Sequence, residues 1–175
     1  ARIAMLLLDM KSRGSSMQVT DVVVVGAGPA GLCFARALAG SGLQVTVVEP
    51  QPRQALADAA FDGREIALTH ASRRVLQDLQ LWQRLPAADI AELRDARVLD
   101  GRSPFALTFA SDRRGGDPLG WLVPNHLIRR AAWDAVHDQP GLELRDGRKV
   151  QGVRAVDGGQ QVLLDDGSTV QARLL

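Results

Sequence analysis

An α/β fold organised around a parallel sheet is the architecture this sequence predicts, and three features carry the prediction. Asp21-Val22-Val23-Val24-Val25 is an unbroken β-branched run, as expected for a strand buried on both faces of a parallel sheet. Gly26 to Gly31 is a glycine-rich turn, and the Ala- and Leu-rich stretch Ala30 to Ala39 behind it reads as a helix stopped by Gly40 and Gly42. Val45-Thr46-Val47-Val48 is a second buried strand that ends at Glu49 and is broken by Pro50-Gln51-Pro52. Together they make one β-α-β unit with a right-handed crossover.

The middle of the chain is more mixed. Residues 71–81 have helical spacing, with Val75, Leu76, Leu79 and Leu81 near one face. Arg97 to Asp100 and Phe105 to Phe109 alternate like strands of a separate small sheet, and Asp112 to Pro118 is a charged, Gly-rich loop. Asn125 to Asp138 is the clearest late helix: Asn125 is positioned to cap it, Leu127, Ile128, Ala131, Ala132 and Val136 form its apolar face, and Pro140-Gly141 ends it. The remainder reads as short strands, Leu142 to Arg145, Val150 to Val156, Gln160 to Leu164 and Thr169 onward. Asp157-Gly158-Gly159 and Asp165-Asp166-Gly167 lie where hairpin turns belong. These elements predict a small β-meander and part of a second sheet. The apolar run at Arg173-Leu174-Leu175 has no terminator, so a truncated C-terminus is expected.

Composition removes several classes of function. A chain of 175 residues suits a single domain, because chains divide mainly beyond roughly 250. The net charge of +1 and the absence of Tyr leave no basic stripe and no base-stacking platform, so no nucleic-acid partner is expected. The single cysteine, Cys33, precludes a disulfide framework within the chain and suits a reducing, cytoplasmic setting. No metal site is expected. The apolar segment Ala1 to Met10 is shorter than a membrane span, and no basic residues precede it as in a signal peptide. Met17 reads as the natural start, with residues 1–16 a foreign or disordered extension and residues 17–175 the domain proper.

The chemistry resides in the first turn. Gly26-Ala27-Gly28-Pro29-Ala30-Gly31 fits G-x-G-x-x-G between a buried strand and a helix, the context that makes this pattern a dinucleotide fingerprint. Gly26 permits the tight turn, Gly28 lets a pyrophosphate approach bare backbone, and Gly31, helped by Ala35, lets the helix pack closely. The free amides of the helix start, around Pro29 and Ala30, then face a dianion where the helix dipole favours it. Glu49, 18 residues after Gly31, supplies a carboxylate for ribose hydroxyls and repels a 2′-phosphate, so the adenosine belongs to FAD or NAD. This is a Rossmann-like unit, and its local physics does not distinguish the two cofactors.

Three segments resemble a known family. Val22 to Leu32 resembles the start of the FAD-dependent aromatic hydroxylases, the para-hydroxybenzoate hydroxylase-like class. Asp62-Gly63-Arg64-Glu65-Ile66-Ala67-Leu68-Thr69, with Ala71-Ser72 and the helix to Leu81-Trp82, is similar to the ubiquinone-biosynthesis flavin hydroxylases within that class. Gly120-Trp121-Leu122-Val123-Pro124-Asn125-His126-Leu127-Ile128 resembles the family segment that enters the helix flanking the flavin. The resemblance runs from about Gln18 to Leu175 and implies an FAD-binding fold. It also implies that Arg64 lies near the cofactor, where a cation beside a pyrophosphate is favoured. Asn125 stands where many relatives carry Arg, so an amide there meets the ribityl or phosphate side, and Val150 opens a strand that passes the adenine. The Gly-Ala-Asp-Gly and Gly-Asp blocks that follow in the family are not in this sequence.

The function that the resemblance implies is that of an FAD-dependent monooxygenase. NAD(P)H is its transient reductant, the reduced flavin uses O2 to hydroxylate an aromatic ring, and the cofactor carries the redox chemistry. The narrower resemblance implies a polyprenylated phenol as substrate, work at the inner face of the membrane, and membership of a ubiquinone-biosynthesis complex. No catalytic side chain is assigned: His70, His126 and His137 show no ligand spacing and read as surface or structural residues, and Cys33 reads as a packing residue. The alternatives are an NAD-linked Rossmann dehydrogenase and a fragment that binds FAD without catalysis. The fragment by itself is expected to be inactive.

Overall fold

The computed structural model describes residues 17–101, 105–111 and 116–175. The expectations for residues 1–16 and for most of the loop from 112 to 118 therefore fall outside the described residues. In chain order the elements are β1 (Met17–Val25), α1 (Pro29–Ala37), β2 (Val45–Glu49), α2 (Arg53–Ala57), β3 (Glu65–Leu68), α3 (His70–Asp78), β4 (Ala91–Leu93), β5 (Asp95–Leu99), β6 (Ala106–Ala110), β7 (Gly120–Pro124), α4 (Asn125–Val136), β8 (Leu142–Asp146), β9 (Val150–Val156), β10 (Gly159–Leu164) and β11 (Thr169–Leu174). They divide into two compact units. Among the described residues, one holds 17–27, Leu38–Pro52 and Pro140–Leu175, and the other Gly28–Ala37 and those of 53–139.

The first unit is a six-stranded sheet in the order β8-β2-β1-β11-β10-β9. Strands β8, β2, β1 and β11 run parallel, and β11, β10 and β9 form an antiparallel meander. The expected meander is therefore an extension of the parallel sheet, joined to it when β11 pairs with β1 from Met17↔Thr169 to Val22↔Leu174. One face is closed by Val23, Val48, Val162, Leu164, Val170 and Ala172, all nearly inaccessible to solvent. Strand β2 is buried along its whole length, as its β-branched composition predicts. The run in β1 departs from that expectation: Val22 and Val23 are buried, but Val25 is 54% exposed because it stands at the strand end beside the bend.

In the second unit β3, β7 and β4 form a three-stranded sheet, while β5 and β6 pair antiparallel as a two-stranded ribbon, the small sheet expected from the alternation there. Gly120 is required at the start of β7: a Cβ there would lie 2.4 Å from the Leu68 carbonyl oxygen. Helix α4 buries Ile128, Ala131, Ala132, Trp133 and Val136, and the first two join Leu85, Trp121 and Val123 in this unit's core. Arg73 lies over the rings of Trp121 and Trp82, at 4.3 and 5.0 Å from their centroids, and so ties α3 to β7.

Two helix expectations are corrected. The helix expected over residues 71–81 stops at Asp78, because Gln80 takes a left-handed conformation with φ of 62°. Leu81 N donates to Leu76 O at 2.8 Å and Gln80 N to Gln77 O at 3.0 Å, the paired bonds of a Schellman stop. Asn125 does not cap α4. It is the first helical residue, Pro124 occupies the cap position without a side-chain bond, and the Asn125 amide is directed to Asp62 instead.

Candidate cofactor-binding site

The bend that follows β1 is built from backbone. Gly26 has φ of 100°, which side chains on L residues rarely adopt, and its N–H donates to Val48 O at 2.8 Å. The Ala27 amide donates to Glu49 Oε2 at 2.7 Å, and the Gln51 amide donates to Glu49 Oε1 at 2.9 Å. Glu49 is therefore a buried carboxylate at the end of β2, held facing the bend by two main-chain donors. Among the described residues, a Cβ added at Gly26 or Gly28 would meet nothing within 4 Å, which leaves space beside the backbone at both positions.

Helix α1 opens immediately after this bend. Pro29 is its first residue and has no N–H to lose, which suits that position. Helical bonding begins with Leu32 N donating to Gly28 O at 2.9 Å, so the Ala30 and Gly31 amides precede the first intrahelical bond and have no acceptor within the helix. Ala35, expected to favour close packing, is fully buried.

A second set of polar groups is assembled from side chains. Asp62 accepts from Asn125 Nδ2 at 2.7 Å and from Arg64 Nη2 and Nε at 2.7 and 3.0 Å. Asn125 N in turn donates to Arg64 O at 2.8 Å. The Asn125 amide, together with the Arg64 guanidinium, holds the Asp62 carboxyl well below the usual carboxylate range. Two of the expected contact residues, Arg64 and Asn125, are thus brought together by a residue that sequence reasoning passed over. Asp62 stands in the quoted block, but nothing local shows that it bridges to a residue 63 positions away.

Pro29, Ala30 and Asn125 also line a cavity of about 550 Å³, with Cys33, Leu68 and Val75 among its apolar walls. Burial raises the Cys33 thiol pKa above its ordinary value. Val150 opens β9 as expected and packs, half-buried, against the core of the sheet. His70 Nε2 donates to Pro118 O at 2.7 Å, His126 meets the Phe61 ring edge-on at 5.3 Å, and His137 stacks on Trp133 at 5.9 Å.

A family profile described as FAD binding domain matches residues 19–175. The chain belongs to that family. Within the FAD-binding family it is 47% identical to the ubiquinone hydroxylase UbiM of Neisseria meningitidis, over 89% of this chain and 35% of that protein. It is 36% identical to the ubiquinone hydroxylase UbiL of Rhodospirillum rubrum, over 93% of this chain and 37% of the relative. Among solved structures, p-nitrophenol 4-monooxygenase PnpA of Pseudomonas putida superposes with a TM-score of 0.65 at 20% identity, covering 90% of this chain and 40% of that one. That last likeness concerns the fold alone. The chain spans 35% and 37% of the length of UbiM and UbiL.

Proposed function

We propose that this chain forms the FAD-binding part of an NAD(P)H-using monooxygenase, and that the whole protein hydroxylates the ring of a polyprenylated phenol in ubiquinone biosynthesis. One observation carries the cofactor half of this reading: the buried Glu49 carboxylate is fastened to the Ala27 amide beside a bend with free space at Gly26 and Gly28. Those residues fit an adenosine diphosphate moiety, the half of FAD that needs bare backbone and a hydroxyl acceptor. The names of UbiM and UbiL support the activity half.

FAD, when bound, supplies the redox chemistry; the chain's own residues bind and orient. Each Glu49 oxygen keeps a lone pair after its main-chain bond and accepts from a ribose hydroxyl. The Ala30 and Gly31 amides donate to the pyrophosphate at the positive end of α1. Arg64 adds a cation for the same group, Asn125 serves the ribityl or phosphate side, and Val150 offers an apolar edge to the adenine. No catalytic side chain is assigned. No helix among the described residues is long and apolar enough to cross a membrane. A polyprenylated substrate places the working protein at the inner membrane surface by peripheral contact.

The test is the absorption spectrum of the purified full-length protein. Flavin bands, or uptake of added FAD, are expected; their absence overturns the reading. Calorimetry with NADH against FAD separates it from an NAD-linked dehydrogenase, which would bind NADH tightly and FAD not at all.

A further inference from the structure

We infer that Asp62 is a positioning residue for the cofactor, fixing the polarity of the Asn125 amide so that Asn125 offers an oxygen acceptor rather than an NH2 donor. The inference rests on the FAD reading and sharpens it, because an acceptor serves a ribityl hydroxyl and cannot serve a phosphate.

The geometry requires this polarity. An ionised carboxylate only accepts hydrogen bonds. The Asn125 group 2.7 Å from Asp62 Oδ2 is therefore the NH2, and Oδ1 points away from Asp62. Asn125 is 6% exposed and its main chain is fixed by the bond to Arg64 O, so the amide has little freedom other than a flip about its own axis. Asp62 forbids that flip, because a flipped amide would set oxygen against carboxylate oxygen. The low pKa of Asp62 keeps the carboxylate ionised and the constraint active across the physiological range. Arg64 holds Asp62 through Nε and Nη2 and so keeps the carboxylate aimed at Asn125.

The test is FAD titration of the full-length protein by flavin fluorescence, read as a double-mutant cycle. Asp62→Ala should weaken FAD binding about three- to tenfold, because the Asn125 oxygen is no longer held in place and part of one hydrogen bond's contribution is lost. In an Asn125→Ala background the same change should cost less than about twofold, since the residue through which Asp62 acts is gone. Asn125→Ser serves as the background if Asn125→Ala does not fold by circular dichroism. Asp62→Glu, still acceptor-only, should recover most of the affinity. Asp62→Asn should not, because its amide allows either orientation of Asn125. Equal cost of Asp62→Ala in both backgrounds, or tighter binding from removing a negative charge, overturns the inference while leaving the FAD reading intact. Failure of the wild type to take up FAD overturns both.

Discussion

The bend between β1 and α1 and the cluster around Asp62 both present groups suited to a charged cofactor, yet they are made from different materials. The bend uses main-chain amides, a glycine at φ of 100° and one buried carboxylate. The cluster uses three side chains from a loop and a helix start, and the Arg64 side chain in it is 67% exposed. A backbone-built site is part of the fold, so damage to it should appear as lost stability as well as lost binding. A side-chain cluster near the surface should lose binding while the fold stands.

That contrast is tested most severely at Glu49. Glu49→Ala removes the acceptor from two amides beside a buried position and should destabilise the protein by roughly 2–4 kcal/mol, measured by urea unfolding, with FAD uptake abolished. Glu49→Ala without a stability change would erase the distinction. Gly26→Val should follow at about 2 kcal/mol, because a β-branched residue is strained at positive φ. The same unfolding series with an FAD titration checks it.

At the cluster the expected order reverses. Arg64→Ala should lower FAD affinity about tenfold through loss of a charge-assisted contact. It should leave the melting temperature unmoved, because exposed ion pairs contribute little to stability. Arg64→Lys should recover only part of the affinity, since an ammonium lacks the forked geometry. The pH response sharpens the point. The Asp62 pKa is depressed in the folded state, so whatever stability its contacts give is fully present above the ordinary aspartate value and is lost only as pH falls below it. Urea midpoints from pH 5 to 8 should therefore show no step from Asp62, and acidification below about 4 should remove its contribution. Outside both regions, Gln80→Gly should relieve a left-handed non-glycine residue and stabilise by at most about 1 kcal/mol, with FAD affinity unchanged.

The same contrast explains what could be read from the sequence. The bend was legible because its parts lie close in the chain: strand, glycines, helix and Glu49 fall within one β-α-β unit, and the Ala27–Glu49 bond spans 22 residues. The Asp62 bridge was not legible, because it depends on β3 and β7 pairing antiparallel, which brings Arg64 and Asn125 together. Strand β3 gives no alternation to detect, since Glu65, Ile66 and Ala67 are all exposed. Asn125 has the residue type of a cap, but the helix begins with it rather than after it, and the acceptor that its NH2 meets arrives from a distant loop. The helix end at Gln80 was missed because left-handed stops usually show as glycine. The continuity of the meander with the parallel sheet rests on a long-range pairing, Met17 to Thr169, that no local pattern encodes.

Cys33 is the sole sulfhydryl in these 175 residues and stands on the wall of the apolar cavity beside Pro29 and Asn125. Its raised pKa keeps it mostly protonated and sluggish toward alkylating reagents at neutral pH. It is thus a built-in reporter: the rate at which it is tagged by a maleimide, with and without added FAD, gauges how openly solvent reaches that wall, with no engineered label required.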